Sequence, residues 1–220
     1  FLDSYYSNNS YADSNLTENS VRFDLLAKSI LKGVYSYADD IGSIQNKDFL
    51  LELLKSTTSG ITEGSTTVFF SNTNLSESGQ AIDLSEEISV SLSKNGILLV
   101  SEMSLDGIEY NDVAEAISFG TSMGARIMGD NMDDIMSLID PKLTNPQNTR
   151  KLLSKALSSG SSHGSLVAIA NIASVDPNVG WDEVKEVSSQ SAKGSMIANV
   201  ANVIYFGDED ELLPIINFSA

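Results

Sequence analysis

From Val21 onward, apolar residues recur at steps of three and four. Phe23, Leu26, Ala27, Ile30, Val34, Tyr37 and Ile41 trace one face of a helix. A second helix is expected after Asn46, with Phe49, Leu50, Leu53 and Leu54 turned inward, and Ser56 to Gly64 (STTSGITEG) reads as a breaker-rich connection. Upstream, residues 1–20 are polar, rich in Asn and Ser, and without that period, so they read as a loose N-terminal arm before a helical domain over 21–220. Tyr5, Tyr6 and Tyr11 would let the arm dock on a neighbour, the alternative being a solvated tail.

The stretch from Thr66 to Leu105 carries two patterns at once. Ile88, Val90 and Leu92 alternate with Ser, and Asn95-Gly96 precedes Ile97-Leu98-Leu99-Val100, which describes a β-hairpin over residues 86–103. Leu84, Ile88, Leu92, Leu99 and Met103 also keep helical steps, with Asn95-Gly96 as a helix end or a tolerated break. Helix is the expectation because the neighbouring segments are helical, and the hairpin is the alternative.

Further on, Asn111 or Asp112 can cap a helix whose face holds Val113, Ile117, Gly120, Gly124 and Ile127, with Ala116 beside it. Asp130 to Ile139 is expected as a short helix stopped by Asp140-Pro141, and Thr149 to Leu157 as another ending in Ser158-Ser159-Gly160. Ser165 to Ala173 follows, then one long or two shorter helices over Trp181 to Phe206. A weak echo links Gly164-Ser-Leu-Val-Ala to Gly194-Ser-Met-Ile-Ala; two copies make no solenoid, and shared tightly packed helix composition accounts for them. The fold class expected is therefore mainly α, a multi-helix globular bundle.

Charge narrows the function. With 13 Lys+Arg against 30 Asp+Glu the net charge is −17, which argues against nucleic acid as a partner, because phosphate neutralisation needs clustered cations. No apolar run approaches the ~20 residues of a membrane span. The absence of Cys removes disulfides, thiolate nucleophiles and Cys-ligated metals, and a single His removes most metal and His-paired hydrolase designs. No cofactor is implied. The chain begins with Phe, as a processed or excised product would; a removed secretory signal fits that start, and so does a cut from a longer expressed chain. The sequons at Asn8, Asn15, Asn74 and Asn217 carry no weight, since 35 Ser and 17 Asn generate that many by chance.

Candidate chemistry is sparse. His163, in Ser161-Ser-His-Gly-Ser165, would need an orienting carboxylate and a nucleophile to be catalytic, and reads as an exposed loop histidine. Acidic clusters stand at Asp39-Asp40, Glu86-Glu87, Asp130 with Asp133-Asp134, Asp182-Glu183 with Glu186, and Asp208 to Glu211. They fit solvated faces and helix N-termini, and they lack the alternating ligands of a calcium loop. Crowded carboxylates can also form a pH-sensitive assembly surface, because neighbours raise one another's pKa and mild acid then removes the repulsion between chains. Met123, Met128, Met132 and Met136 read as core filling rather than a binding face, and Trp181 as a packing anchor.

Residues 27–44 (AKSILKGVYSYADDIGSI) resemble an early helix of moth silk fibroin light chains, through Ala27, Ser29, Ile30, Leu31, Tyr35, Tyr37, Asp39 and Asp40. The resemblance implies a secreted, non-enzymatic structural partner in silk or fibre. Those light chains use Cys to reach their heavy chain; this sequence has none, so any such attachment here would be noncovalent. The expected function is structural assembly, packing with itself or a larger structural chain as an oligomer. Ala116, Gly120 and Gly124 would form the small-residue contact, with Asp39, Asp40, Asp133 and Asp134 controlling association. A helical carrier for an apolar small molecule is the alternative, and a carboxylate-pair hydrolase ranks third.

Overall fold

The computed structural model describes residues 13–40, 47–72, 80–103, 105, 107–126 and 146–206. Among them are six α-helices: α1 (Asp13–Asp40), α2 (Lys47–Ser71), α3 (Gln80–Glu102), α4 (Tyr110–Met123, continued by a 3-10 turn Gly124–Arg126), α5 (Pro146–Val175) and α6 (Trp181–Phe206). They pack as three stacked pairs. α3 and α4 form the middle layer, with α1 and α2 on one side and α5 and α6 on the other. This position is why α3 buries residues all round its circumference, from Ala81 to Val100, whereas α2 buries a single line: Leu50, Leu54, Thr58, Thr62, Thr66 and Phe70. Contacts between α2 and α4 advance together along both chains, from Lys47 with Asp112 to Thr62 with Gly124, so the two helices are parallel; α6 runs the same way beside α4, from Glu186 with Asn111 to Asn202 with Arg126.

The two sides of the middle layer are held differently. Towards α1 and α2 the core is apolar: Ala27, Leu31, Tyr35 and Ala38 of α1, with Leu50 and Leu54 of α2, belong to one buried cluster with Ile88, Leu92, Ile97 and Ile117. The Tyr35 hydroxyl donates to the Gly96 carbonyl at 3.0 Å, and complete burial pushes that phenol far above its ordinary pKa. Towards α5 and α6, beside Ile169, Ile172, Val184 and Val187 of that same cluster, the helices approach through Gly and Ser. A Cβ added at Gly160, Gly164 or Gly194 would fall within 3.0 Å of the carbonyl oxygen of Glu86, Val90 or Glu115, so these glycines are what permits the spacing. The Gly-Ser echo thus has a structural meaning, since Gly164 of α5 sits on α3 as Gly194 of α6 sits on α4.

Buried hydroxyls fill that narrow seam. Ser161 donates to Ser118 at 2.6 Å, and 2.7 Å contacts join Ser93 to Ser161 and Ser118 to Ser191. With one proton per hydroxyl, Ser161 accepts from Ser93 as it donates to Ser118, and the linked hydroxyls cross α3, α5, α4 and α6 in turn. Further along, Ser122 donates to Ser195 at 3.1 Å, Asn199 to Ser158 at 2.9 Å and Asn202 to the Ser122 carbonyl at 2.9 Å.

Several expectations are corrected by these contacts. The expected helix replaces the hairpin alternative: residues 80–102 are one helix, in which the Asn95 amide donates to Ser91 O at 2.8 Å and Gly96 leaves space for Ile117. Ser56 to Gly64 is not a connection. Thr58 and Thr62 return hydroxyl bonds of 2.7 and 2.8 Å to the carbonyls four residues back, and pack inward beneath α4. The two helices expected around Ser158-Ser159-Gly160 are a single α5, because Ser159 and Gly160 touch α3 and Ser158 meets α4 and α6, so the trio is a contact rather than an end. The helix expected from Val21 reaches back to Asp13, and its buried line centres on Ala27, Leu31, Tyr35 and Ala38, leaving Leu26 and Tyr37 exposed. Phe49, expected inside, is also exposed. Neither Asn111 nor Asp112 caps α4; the N-cap is Glu109, without a side-chain cap. The helix expected over Asp130 to Ile139 lies outside the described residues, as do residues 1–12 of the expected arm.

The glycines divide into two kinds that substitution separates. Gly164→Ala and Gly194→Ala are expected to lose about 1–3 kcal/mol by overpacking. Gly60→Ala and Gly64→Ala, where a Cβ would meet nothing within 4 Å, are expected to gain about 0.5–1 kcal/mol from helix propensity. Ser161→Ala is expected to cost about 1–3 kcal/mol, because the Ser93 hydroxyl loses its acceptor inside the seam. Urea unfolding monitored by circular dichroism measures all five.

Candidate association faces and acidic clusters

The small-residue face expected to meet another chain is occupied within this one. Ala116 is buried, a Cβ on Gly120 would strike the Thr58 hydroxyl and the Lys55 carbonyl, and one on Gly124 would strike the Thr62 side chain. These residues seat α2 on α4. Asp39 and Asp40 are exposed in the last turn of α1, in the outer layer, and Asp133 and Asp134 lie outside the described residues. The structure therefore groups Ala116, Gly120 and Gly124, and places the described acidic pair elsewhere.

An open face of the same kind exists where the sequence suggested a connection. Along the outer side of α2, Phe49, Ser56, Gly60, Gly64 and Val68 are all exposed, with Phe49 at 40% and Val68 at 66%. Gly60 and Gly64 share the four-residue spacing of Gly120 and Gly124, one layer further out. The signal was present in the sequence as the matching period of Thr58, Thr62 and Thr66, which fixes the opposite face as the buried one.

Two of the acidic clusters are electrostatically strained. Glu87, on α3, is held above the ordinary carboxylate range first by burial, then by Glu86 and Asp24, with Lys94 and the Ser20 hydroxyl pulling the other way. Lys94 is itself engaged with Asp24 of α1, whose other oxygen accepts from Asn95 at 3.1 Å, and Glu86 accepts from Ser159 at 3.0 Å. Glu183, in the first turn of α6, is raised by burial and then by Glu186 and Glu109. Near it, Lys47 is raised by its hydrogen bond to Asp112, and it lies 4.0 Å from Glu109. Asp182 pairs with Lys185 at 2.8 Å. Asp130 and the run Asp208 to Glu211 lie outside the described residues.

Other singled-out residues find plainer places. His163 is half-buried in the middle of α5, not in a loop, because the Ser-rich segment around it is helical. Trp181 is no packing anchor: as the first residue of α6 it is 76% exposed. Met123 is half-buried at the end of α4, and Met128, Met132 and Met136 lie outside the described residues. No helix among the described residues is long and apolar enough to cross a membrane.

The raised Glu87 gives a signed pH dependence. Its charged form is disfavoured in the folded chain, so its contribution to stability is present at and below the ordinary Glu value of 4.5 and is lost as pH rises through the higher folded value. Glu87→Gln is therefore expected to be more stable than the native chain at neutral pH, with the difference closing as pH falls towards 4.5. Paired urea denaturations across that range measure it.

With the geometry in place, comparison adds no relative: no family model matches the chain, and no curated protein or solved structure is significantly similar to it.

Proposed function

We propose that this protein is a secreted, non-enzymatic structural protein that packs with itself or with a larger structural chain. The outer face of α2 carries this reading. Inside the stack, glycines four residues apart on α4 receive threonines of α2; on the outside of α2 the same spacing recurs at Gly60 and Gly64, where an added Cβ would meet nothing within 4 Å among the described residues. Phe49 and Val68 flank that line and lose apolar surface to water until something covers them. A helix of another chain, presenting Ser, Thr or Ala, fits there as α2 fits on α4.

The charge of −17 sets the conditions. Like-charged chains repel at low salt, and the repulsion is screened beyond about 8 Å at physiological salt. Glu87 and Glu183, already raised in the folded chain, take up protons before ordinary carboxylates do, so mild acid lowers the repulsion first at those clusters. The resemblance of residues 27–44 to silk fibroin light chains supports a fibre-associated role, with noncovalent attachment in the absence of Cys.

Sedimentation velocity at low ionic strength tests this reading. A monomer is expected near pH ~7.5 and a dimer or larger species near pH ~5.5. Gly60→Gln, which places a long polar side chain on the open line without touching the interior, is expected to stay monomeric at both. A native chain that is monomeric throughout overturns the proposal, and antibody detection in a secretion or fibre tests its location.

A further inference from the structure

Each layer of the stack is set on the one before it in the same way. α1, α3 and α5 form one column of helices, and α2, α4 and α6 the other. Between α2 and α4 the glycines are Gly120 and Gly124 of α4, placed against the Lys55 carbonyl and the Thr58 and Thr62 side chains. Between α4 and α6 the glycine is Gly194 of α6, against the Glu115 carbonyl. Between α3 and α5 they are Gly160 and Gly164 of α5, against the carbonyls of Glu86 and Val90. In all three contacts the later helix supplies the glycine, and the earlier helix supplies the surface that receives it.

That order makes the two ends of the stack different. Gly33 of α1 and Gly60 of α2 stand two residues from buried Leu31 and Thr58, about 200° round the helix, so they face away from the middle layer. A Cβ added at Gly33, Gly60 or Gly64 would meet nothing within 4 Å among the described residues. At the other end, Gly160, Gly164 and Gly194 all point inward, and the exposed residues of α5 and α6 include Leu166, Ser189 and Met196. One end is a glycine face with no surface to receive it; the other is a receiving surface with no glycine face.

We infer that copies of this chain join head to tail, the α1–α2 face of one seated on the α5–α6 face of the next. This deepens the structural reading above and rests on it, naming a second copy as the partner of the open α2 face. The contact would repeat the one that the chain already makes at both of its internal layer boundaries. Charge agrees with it. In a chain of net charge −17, α5 and α6 together hold five Lys and Arg against three Asp and Glu, and α5 has no acid at all. α1 and α2 hold eight Asp and Glu against five Lys and Arg. The end layers therefore attract each other, whereas a symmetric contact of α1–α2 with its own copy sets like charges together.

Size and polarity point the same way. A face two helices wide and 25 residues long measures roughly 20 by 40 Å, close to the ~800 Å² per partner of a stable protein contact. Stacks of repeated units that remain single are closed by polar end layers. Here Leu26 and Phe49 are exposed at one end, and Leu166 and Met196 at the other. Because the two faces differ, the contact does not close on itself. Each added copy leaves one face of each kind free, and an open series results rather than a dimer.

Sedimentation velocity of the full chain at low ionic strength, near pH ~5.5, tests this with two exposed substitutions, Gly60→Gln at one end and Ser189→Gln at the other. The native chain is expected to form species larger than a dimer that grow with concentration. Each variant alone is expected to be monomeric. An equimolar mixture of the two is expected to give a dimer and nothing larger, since it pairs one intact face of each kind; that recovery also shows both variants to be folded. A native dimer that Gly60→Gln abolishes and Ser189→Gln leaves intact overturns the head-to-tail contact while self-packing through α2 stands. A mixture that stays monomeric overturns it as well. A native chain that is monomeric throughout removes the structural reading and this inference together.

Discussion

Ser93, Ser161, Ser118 and Ser191 pass a hydrogen bond from one helix to the next, and the separation of four helices is set by that chain. The constraint is steric before it is polar. Where Gly160, Gly164 and Gly194 bring one helix onto the backbone of another, a leucine has no room. Alanine would fit and leave neighbouring polar groups without partners. A hydroxyl is small enough for the gap and can satisfy itself within it, at a net gain of about 0.5–1.5 kcal/mol per bond. Much of the unusual serine content is thereby interior material: Ser85, Ser89, Ser93, Ser118, Ser122, Ser158, Ser161, Ser191 and Ser195 are all buried.

The other side of the middle layer follows the ordinary rule. Leu31, Tyr35, Leu50 and Leu54 lie in one cluster with Ile88, Leu92 and Ile117, while at Gly120 and Gly124 α2 comes as close to α4 as the helices on the opposite side do. A single layer thus carries a mainly apolar seam on one face and, on the other, a close-packed hydroxyl seam beside Ile169, Ile172, Val184 and Val187 of the same apolar cluster. The hydroxyl seam tolerates little change in volume, because the atoms opposite each glycine are backbone and cannot rotate away. The outermost faces of the stack have no such neighbour, which is why Gly60 and Gly64 on α2 stand open while glycines of similar spacing inside are sealed.

Helical steps of three and four made the existence of most helices legible, and charge with composition removed whole classes of function. Errors fell at Ser56 to Gly64 and Ser158 to Gly160, and the hairpin alternative that the structure discards turned on Asn95-Gly96. Each is a run of residues that locally favours turns, and each proved to be a place where two helices touch. Serine and threonine hydroxyls that would compete with the backbone in water instead bond to carbonyls four residues back, as at Thr58, Thr62 and Ser85, or reach across to another helix. Local propensity had the wrong sign there because its reference state is a solvated chain. Trp181 erred in the opposite direction: a large aromatic was expected to anchor packing, yet it opens α6 facing water.

The candidate sites divide along the same line. That Gly120 and Gly124 serve a close helix contact was readable from their spacing; that the partner is α2 of the same chain was not. One end of the stack shows the same limit, since residues 100–110 and 176–183, far apart in the sequence, meet only in the folded chain. By itself the sequence determined that the chain is helical, acidic and supplied with faces of small residues, because periodicity and charge are properties of neighbouring positions. Only the tertiary structure decided which of those faces look inward, because burial depends on which distant helix arrives to cover them.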